Sequence, residues 1–164
     1  FYRMNKEYLK KVQTIDSTIQ TAYDCLAGEQ GDARNWELYR FLYHPNSQMI
    51  RYESDFVDGE IRPQYMSPYD FTTSIGKYME TIKKTGFYER EIHKIKKVFG
   101  NIAHVWSTCE SFESKEDMEN NNPYVRNVHS FQMAYYQERW WIINLFWYKE
   151  TEEFPIPNEF LGIE

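Results

Sequence analysis

The sequence predicts one α+β domain, in which helices come first and long antiparallel strands follow. The chain has 164 residues, within the usual range of a single domain. Its first half spaces apolar residues at the helical period, whereas from Phe87 onwards the period changes to two. Helices followed by a meander are typical of an α+β fold, since a parallel α/β fold would alternate them. We therefore predict one domain over residues 1–164, with a core at about 15–150 and an extended tail at 151–164.

Two helices are predicted before the first strand. The first carries apolar residues at helical spacing, namely Ile15, Ile19, Tyr23 and Leu26. Gly28 ends it, because glycine adopts a left-handed cap at little cost. A second, short helix spans about 36–42, and Pro45 stops it, since proline disfavours helix in the residue before it.

A strand pair and a third helix are predicted next. The strands are expected at 48–53 and 61–66, around a turn at 58–59. The helix begins after Ser67, with Pro68 at its first position and Asp70 three residues after the cap. Gly86 ends it.

Four long strands are predicted in the second half of the chain. They cover about 87–99, 102–112, 125–135 and 139–148. Gly100 and Asn101 form a two-residue hairpin signal between the first two. The polar, Asn-rich stretch 114–123 is predicted to be a mobile loop. Pro155 and Pro157 indicate an extended tail.

Several of these segments resemble a bacterial group of the nuclear transport factor 2-like superfamily that is related to polyketide cyclase-like proteins. They are FYEREIH at 87–93, GNIAHVWST at 100–108, SFQ at 130–132, RWWI at 139–142, Trp147, PIP at 155–157, and the segment 36–45 that ends in FLYHP. The resemblance spans roughly 15–162. It implies a cystatin-like cone with a central pocket, in which a curved mixed sheet wraps around about three N-terminal helices, commonly as a dimer. Most of this group is uncharacterised.

That resemblance does not settle the function. The superfamily includes ketosteroid isomerase, scytalone dehydratase, limonene epoxide hydrolase and polyketide cyclases, besides members without chemistry. The sequence matches none of their catalytic sets residue by residue.

Composition excludes several function classes. A net charge of -6 argues against nucleic-acid binding, which needs clustered Lys and Arg. No apolar run approaches the roughly 20 residues of a membrane span. No cofactor is predicted, because a glycine-rich phosphate loop is missing. The chain starts at Phe1, so a leader peptide could have been removed, and cytoplasmic and exported locations both stay open.

The sequence also predicts no metal site. No His pair has helical spacing, and a set of Glu91, His93 and Glu110 would be fortuitous. Cys25 and Cys109 are interpreted as buried thiols, since neither has a CxxC partner.

Catalytic candidates come from pairing across the Gly100-Asn101 turn. The predicted facing pairs are Phe99/Ile102, Lys97/His104, Ile95/Trp106, His93/Thr108 and Glu91/Glu110, all on one face. If that face is concave, His93, His104 and Glu91 become acid/base candidates. Burial and a nearby carboxylate would shift the pKa of an imidazole. The alternatives are that these groups hydrogen-bond as a scaffold, or that the face is a dimer seam.

Five further residues are predicted to bind a ligand: His44, Trp106, Tyr23, Trp36 and Arg126. The resemblance places His44 after a helix that lines the cavity, although a helix-stop His with a satisfied ring is an equal alternative. The planar guanidinium group of Arg126 could bind a carboxylate through two N–H groups. An ion pair with Glu91 or Glu110 is the alternative.

The last strand is apolar on both faces and predicts a cover. Trp140, Ile142, Phe146 and Tyr148 alternate with Trp141, Ile143, Leu145 and Trp147. A strand with one face exposed to solvent would carry polar residues on that face. We predict a homodimer through the sheet that buries about 1,200 to 2,000 Å², with the folded-back tail as the alternative cover.

The predicted function is binding of a small, largely apolar molecule. Aromatic residues make up 18% of the chain, enough to line a pocket with a few polar groups. Turnover would be cofactor-free proton transfer of the isomerase, dehydratase or cyclase kind. The alternative is a non-catalytic protein-interaction or dimerisation domain.

Overall fold

A six-stranded sheet forms the centre of this protein. The computed structural model describes residues 5–55 and 57–164. The strands are β1 (Tyr43–Ser54), β2 (Ile61–Met66), β3 (Tyr88–Phe99), β4 (Ile102–Phe112), β5 (Val125–Tyr136) and β6 (Arg139–Lys149). They lie in the order β2-β1-β6-β5-β4-β3. Neighbours are antiparallel except for β1 and β6, which run parallel, so the predicted mixed sheet is confirmed.

Helices flank this sheet. They are α1 (Lys6–Lys11), α2 (Ile15–Leu26), α3 (Trp36–Phe41), α4 (Pro68–Lys77), α5 (Lys115–Glu119) and α6 (Asn158–Leu161). A π-helical turn at Tyr78–Ile82 extends α4. The three predicted helices correspond to α2, α3 and α4, and α1 is additional. No helix among the described residues combines the length and apolar character that a membrane crossing requires.

Capping boxes explain where α2 and α4 begin. The Thr14 hydroxyl accepts from the backbone N–H of Ser17, whose side chain accepts in return from the Thr14 N–H. Ser67 and Asp70 make the same reciprocal pair before α4. Each box satisfies N–H groups that have no partner inside the helix. The Ser67 cap was predicted from the sequence, whereas the helix at α2 was predicted from its apolar spacing and not from the Thr14 cap.

The start of β1 differs from the prediction. The strand begins at Tyr43, whereas the sequence indicated a helix end there and a strand only from Gln48. Tyr43 pairs with Ile142 of β6, and the register then shifts before pairing resumes at Gln48. Pro45 lies in this irregular stretch, where its missing N–H costs no regular ladder bond.

Two segments predicted to be irregular contain short helices. Within 114–123, the Ser114 hydroxyl accepts from the Asp117 N–H and caps α5. In the tail, α6 ends at Gly162, whose φ of 68° lies in the left-handed region favoured at helix ends. Both helices are a single short turn or little more, too brief for an apolar period to show in sequence.

The main core lies between the helices and one face of the sheet, which we call the inner face. Val105, Phe131 and Leu145 belong to it and contribute to the buried cluster. Because side chains alternate along a strand, Trp106 and Ser130 point the other way, to the outer face.

A bulge in β3 changes the predicted hairpin face. Pairing follows the prediction from Phe99 opposite Ile102 to His93 opposite Thr108, and then the register shifts. Glu91 therefore faces Cys109, and Glu110 faces Arg90, not Glu91. One extra residue in a strand reverses the side of everything beyond it. The prediction that Glu91 and His93 share a face is thus wrong: Glu91 lies on the inner face and His93 on the outer face.

Candidate functional site

A groove of about 570 Å³ lies on the outer face, between the sheet and the C-terminal tail. Its floor is formed by β1, β4, β5 and β6, and its roof by the tail. The lining residues are Tyr52, Trp106, Val128, Ser130, Phe146, Trp147, Tyr148, Lys149, Glu150, Glu153, Phe154, Pro155, Ile156, Pro157 and Phe160. The lining is largely aromatic and aliphatic, with a few polar groups at the floor and rim.

The tail is held over the groove by a charged anchor at the end of β6. Glu150 receives two bonds from Arg126, from Nε at 2.7 Å and from Nη2 at 2.9 Å. Glu150 Oε1 also accepts from the backbone N–H of Ile156 at 2.9 Å. A bidentate Arg–carboxylate pair fixes geometry as well as charge. It therefore directs the chain back across the sheet.

A second attachment holds the far end of the tail. Thr108 Oγ1 donates to the Phe160 carbonyl at 2.6 Å. The Phe160 ring meets Trp106 edge-on, with centroids 5.3 Å apart. The folded-back tail, which was the alternative cover for the apolar last strand, is thus part of the structure.

Four of the predicted site residues lie around this groove. Trp106 forms part of its floor. His104 Nε2 is 2.8 Å from the hydroxyl of Ser130, another floor residue. The His93 ring lies against Gly162 at the end of the tail. Arg126 anchors the tail through an ion pair with Glu150, whereas the alternative expected from the sequence was an ion pair with Glu91 or Glu110.

Trp36 and His44 lie elsewhere. Trp36 packs against Gly76 of α4 and donates from Nε1 to Glu80 at 2.8 Å. His44 lies beside the ring of Trp141, with centroids 5.7 Å apart, and its Nδ1 accepts from a backbone N–H at 3.1 Å. Both side chains have structural partners, and neither lines the groove.

Tyr23 and Glu91 belong to a buried hydrogen-bonded chain on the inner face. Tyr23 OH is 2.9 Å from His129 Nδ1 and 2.7 Å from Ser107 Oγ. Ser107 Oγ donates to Glu91 Oε2 at 2.5 Å. Next to this chain, Cys109 Sγ donates to the carboxylate of Glu89 at 2.9 Å. The chain links α2 to three adjacent strands.

Burial sets the protonation of this cluster. It raises the pKa of Glu89 to about 7, although the Cys109 thiol donates to that carboxylate. It lowers the pKa of His129 to about 4. The pKa values of Cys109 and Tyr23 are raised well above their ordinary values, again chiefly by burial. At neutral pH the imidazole, thiol and phenol are therefore all uncharged.

Sequence reasoning missed the residues that complete both sites. Glu89, Cys109 and His129 approach one another only because β3, β4 and β5 are neighbours. Cys109 is 20 residues from each of the other two, a spacing without a local motif. For the groove, the signal was the apolar outer face of β6, which did point to a cover.

Solved structures match this chain in fold, whereas no protein-family description and no curated protein sequence matches it. A protein of unknown function with a cystatin-like fold from Nostoc punctiforme has a TM-score of 0.61 at 12% identity, covering 84% of this chain and 90% of that chain. An NTF2-like protein of unknown function from Shewanella baltica has a TM-score of 0.53 at 6% identity, covering 93% and 98%.

A ketosteroid isomerase-like protein from Parabacteroides distasonis has a TM-score of 0.54 at 13% identity, covering 85% of this chain and 91% of that chain. Identities this low establish a shared fold and nothing about the ligand or the chemistry. The α+β architecture with its mixed sheet, together with these neighbours, shows that the chain has the nuclear transport factor 2-like fold, a cone of helices and curved sheet.

Proposed function

We propose that this protein binds a small, largely apolar molecule in the groove under the C-terminal tail. The observation that carries the proposal is the groove itself, about 570 Å³ lined mainly by aromatic and aliphatic side chains. Ligand sites typically have volumes of about 300–1,000 Å³ and such a lining. Burial of apolar ligand surface there contributes about 25 cal/mol per Å².

The polar groups of the groove restrict what the molecule carries. Ser130 Oγ is hydrogen-bonded to His104 Nε2, and Ser130 lies on the floor of the groove. This pair supplies a donor or an acceptor to one hydroxyl or carbonyl group. Lys149 and Glu150 lie at the rim, where β6 ends. The geometry supports a flat ring compound with one oxygen function directed at Ser130.

We further propose that the protein catalyses proton transfer on the bound molecule, with His104 as the base. Its imidazole reaches the groove through the Ser130 hydroxyl, at 2.8 Å. His93 lies at the end of the tail, and Glu91 lies on the other face of the sheet, so neither shares this base position. Exchange of the α protons of 1-indanone for deuterium, followed by NMR, tests the assignment. We expect exchange with the native protein and none above background with His104→Leu; equal rates contradict it.

Binding is tested directly with the fluorescent probe 1-anilinonaphthalene-8-sulfonate. Val128→Trp places a large ring in the groove floor and should abolish saturable probe binding. Thr73→Trp adds the same ring to an exposed position of α4 and serves as the matched control. Equal probe affinity in the two variants would refute the proposed site.

A second candidate function is self-association through the outer face. Two apolar side chains of β6, Phe146 and Ile143, remain 39% and 40% exposed in spite of the tail. A second copy of the chain would cover them. Light scattering at micromolar concentration tests this, with a dimer expected for the native protein and a monomer for Phe146→Glu. A monomeric native protein rejects this function and leaves the groove proposal intact.

A further inference from the structure

Three side chains with metal-binding atoms meet on the inner face of the sheet. Glu89, Cys109 and His129 come from β3, β4 and β5, which are neighbours. One ligand atom from each lies within 4.8 Å of the others. Within the part of the chain that the structure describes, no other group of three His, Cys, Asp or Glu side chains has its ligand atoms this close together. This cluster lies on the opposite face of the sheet from the groove.

The distances between the three atoms match the dimensions of a bound transition metal. Cys109 Sγ is 2.9 Å from Glu89 Oε2 and 3.9 Å from His129 Nε2, and the latter two atoms are 4.0 Å apart. A triangle with these sides has its centre about 2.1 Å from each corner, within the roughly 2.0–2.3 Å of zinc bonds to O, N and S. The three ligand atoms therefore share one point that lies at metal-bonding distance from each.

The hydrogen-bonded chain fixes the tautomer that a metal requires. The single Ser107 hydroxyl proton goes to Glu91, so Ser107 Oγ accepts from Tyr23 OH. The Tyr23 oxygen must then accept from Nδ1–H of His129, 2.9 Å away. In a neutral imidazole with the proton on Nδ1, Nε2 carries a bare lone pair.

Nε2 lies beside the ligand atoms of Glu89 and Cys109, and its recorded hydrogen bond is a long one. The Cys109 thiol proton is already used by Glu89, at 2.9 Å. Nε2 lies 3.9 Å from Sγ, a long and weak hydrogen bond to sulfur, and 4.0 Å from the carboxylate, which is beyond hydrogen-bond distance. A metal ion between the three atoms would give this buried nitrogen a stronger partner than the distant thiol.

We propose that Glu89, Cys109 and His129 bind a zinc ion, with Tyr23 as the residue that positions the imidazole. A mixed sulfur, nitrogen and oxygen set suits zinc, and donation of the second ring nitrogen to a partner is the usual support of a His ligand. On binding, the Cys109 S–H bond breaks, the S–Zn bond forms, and the proton leaves to solvent. Three protein ligands leave a fourth position for water.

The first test uses Co²⁺ as a spectroscopic probe of the full chain after chelator treatment and removal of the chelator. One equivalent should produce a thiolate-to-cobalt charge-transfer band, which Zn²⁺ abolishes by displacement. Because this measurement needs only the native protein, it does not depend on whether a variant folds. No band with the native protein overturns the proposal.

Variants then locate the site. Cys109→Ser keeps a donor for Glu89 but removes the thiolate, so the band should disappear. Cys25→Ser is the matched control, since Cys25 is the other buried thiol and lies on α2. A band that survives Cys109→Ser, or that is lost in Cys25→Ser, overturns the assignment.

Tyr23→Phe tests the positioning role. It removes the partner of Nδ1 and should weaken Zn²⁺ binding by about 10- to 100-fold while leaving the cobalt band in place. Calorimetric titration with Zn²⁺ gives the affinity. An unchanged affinity refutes the role of Tyr23, whereas a lost band would show that the ligand set differs from the proposed one.

Discussion

Replacing Glu89 by Gln should make the protein more stable at alkaline pH, and the size of the effect follows from its burial. The side chain is 6% exposed, and burial raises its pKa from 4.5 to about 7. Cys109, His129 and Tyr23 face it from β4, β5 and α2, all of them uncharged at neutral pH. The folded protein therefore resists ionisation of Glu89, which the unfolded chain permits.

The sign follows from proton linkage. Below pH 4.5 the carboxyl group is protonated in both states, and it has no effect. As the pH rises from 4.5 towards 7, the unfolded chain loses this proton before the folded protein does, so stability falls. A shift from 4.5 to about 7 is worth about 2.5 kcal/mol between pH 5 and pH 8, at about 1.4 kcal/mol per pKa unit. Gln cannot ionise, and its amide still accepts from Cys109.

Denaturant unfolding at pH 5 and pH 8, with a chelator present, measures the effect. From pH 5 to pH 8, the free energy of unfolding of Glu89→Gln should rise by about 2–3 kcal/mol relative to that of the native protein. Glu119→Gln, an exposed carboxylate of α5, controls for the loss of charge. A difference for Glu89→Gln that stays constant within about 0.5 kcal/mol would show that the folded protein does not raise the pKa of Glu89.

Two further predictions concern packing. Gly76→Ala would place a Cβ 2.8 Å from the Trp36 ring and should destabilise the protein by about 1 kcal/mol in denaturant unfolding, although Ala favours helix. Ser74→Ala on the same helix is the control, and a Gly76→Ala variant as stable as that control contradicts the prediction. Phe160→Ala removes the ring contact with Trp106, worth roughly 1 kcal/mol, so the tail should open several-fold more often. Faster hydrogen exchange confined to the tail amides measures this, and unchanged exchange argues against the proposed roof.

Elements set by neighbouring residues could be predicted from the sequence. The capping boxes at Thr14 and Ser67 involve residues three positions apart; the Ser67 cap was predicted, whereas α2 was predicted from its apolar spacing. The β4 bounds and the pairing next to Gly100 were also predicted, because a two-residue turn fixes the register of the strands beside it.

Elements set by distant contacts could not be predicted. β1 begins at Tyr43 because that residue pairs with Ile142, almost 100 positions later. The extra residue at Ile92 leaves no local signature, yet it moves Glu91 to the inner face. The groove exists because the tail folds back onto the sheet, and its anchor joins Arg126 of β5 to Glu150.

Local sequence patterns were enough to predict that helices precede a long-stranded meander, and that the last strand needs a cover on each face. Periodicity and caps depend on residues within a few positions, and a linear pattern records them fully. Which residues share a face depends on contacts that form only in the folded chain. Parity along a strand holds until one bulge reverses it, and the groove and the Glu89–Cys109–His129 cluster both depend on strands that are adjacent in space and distant in sequence.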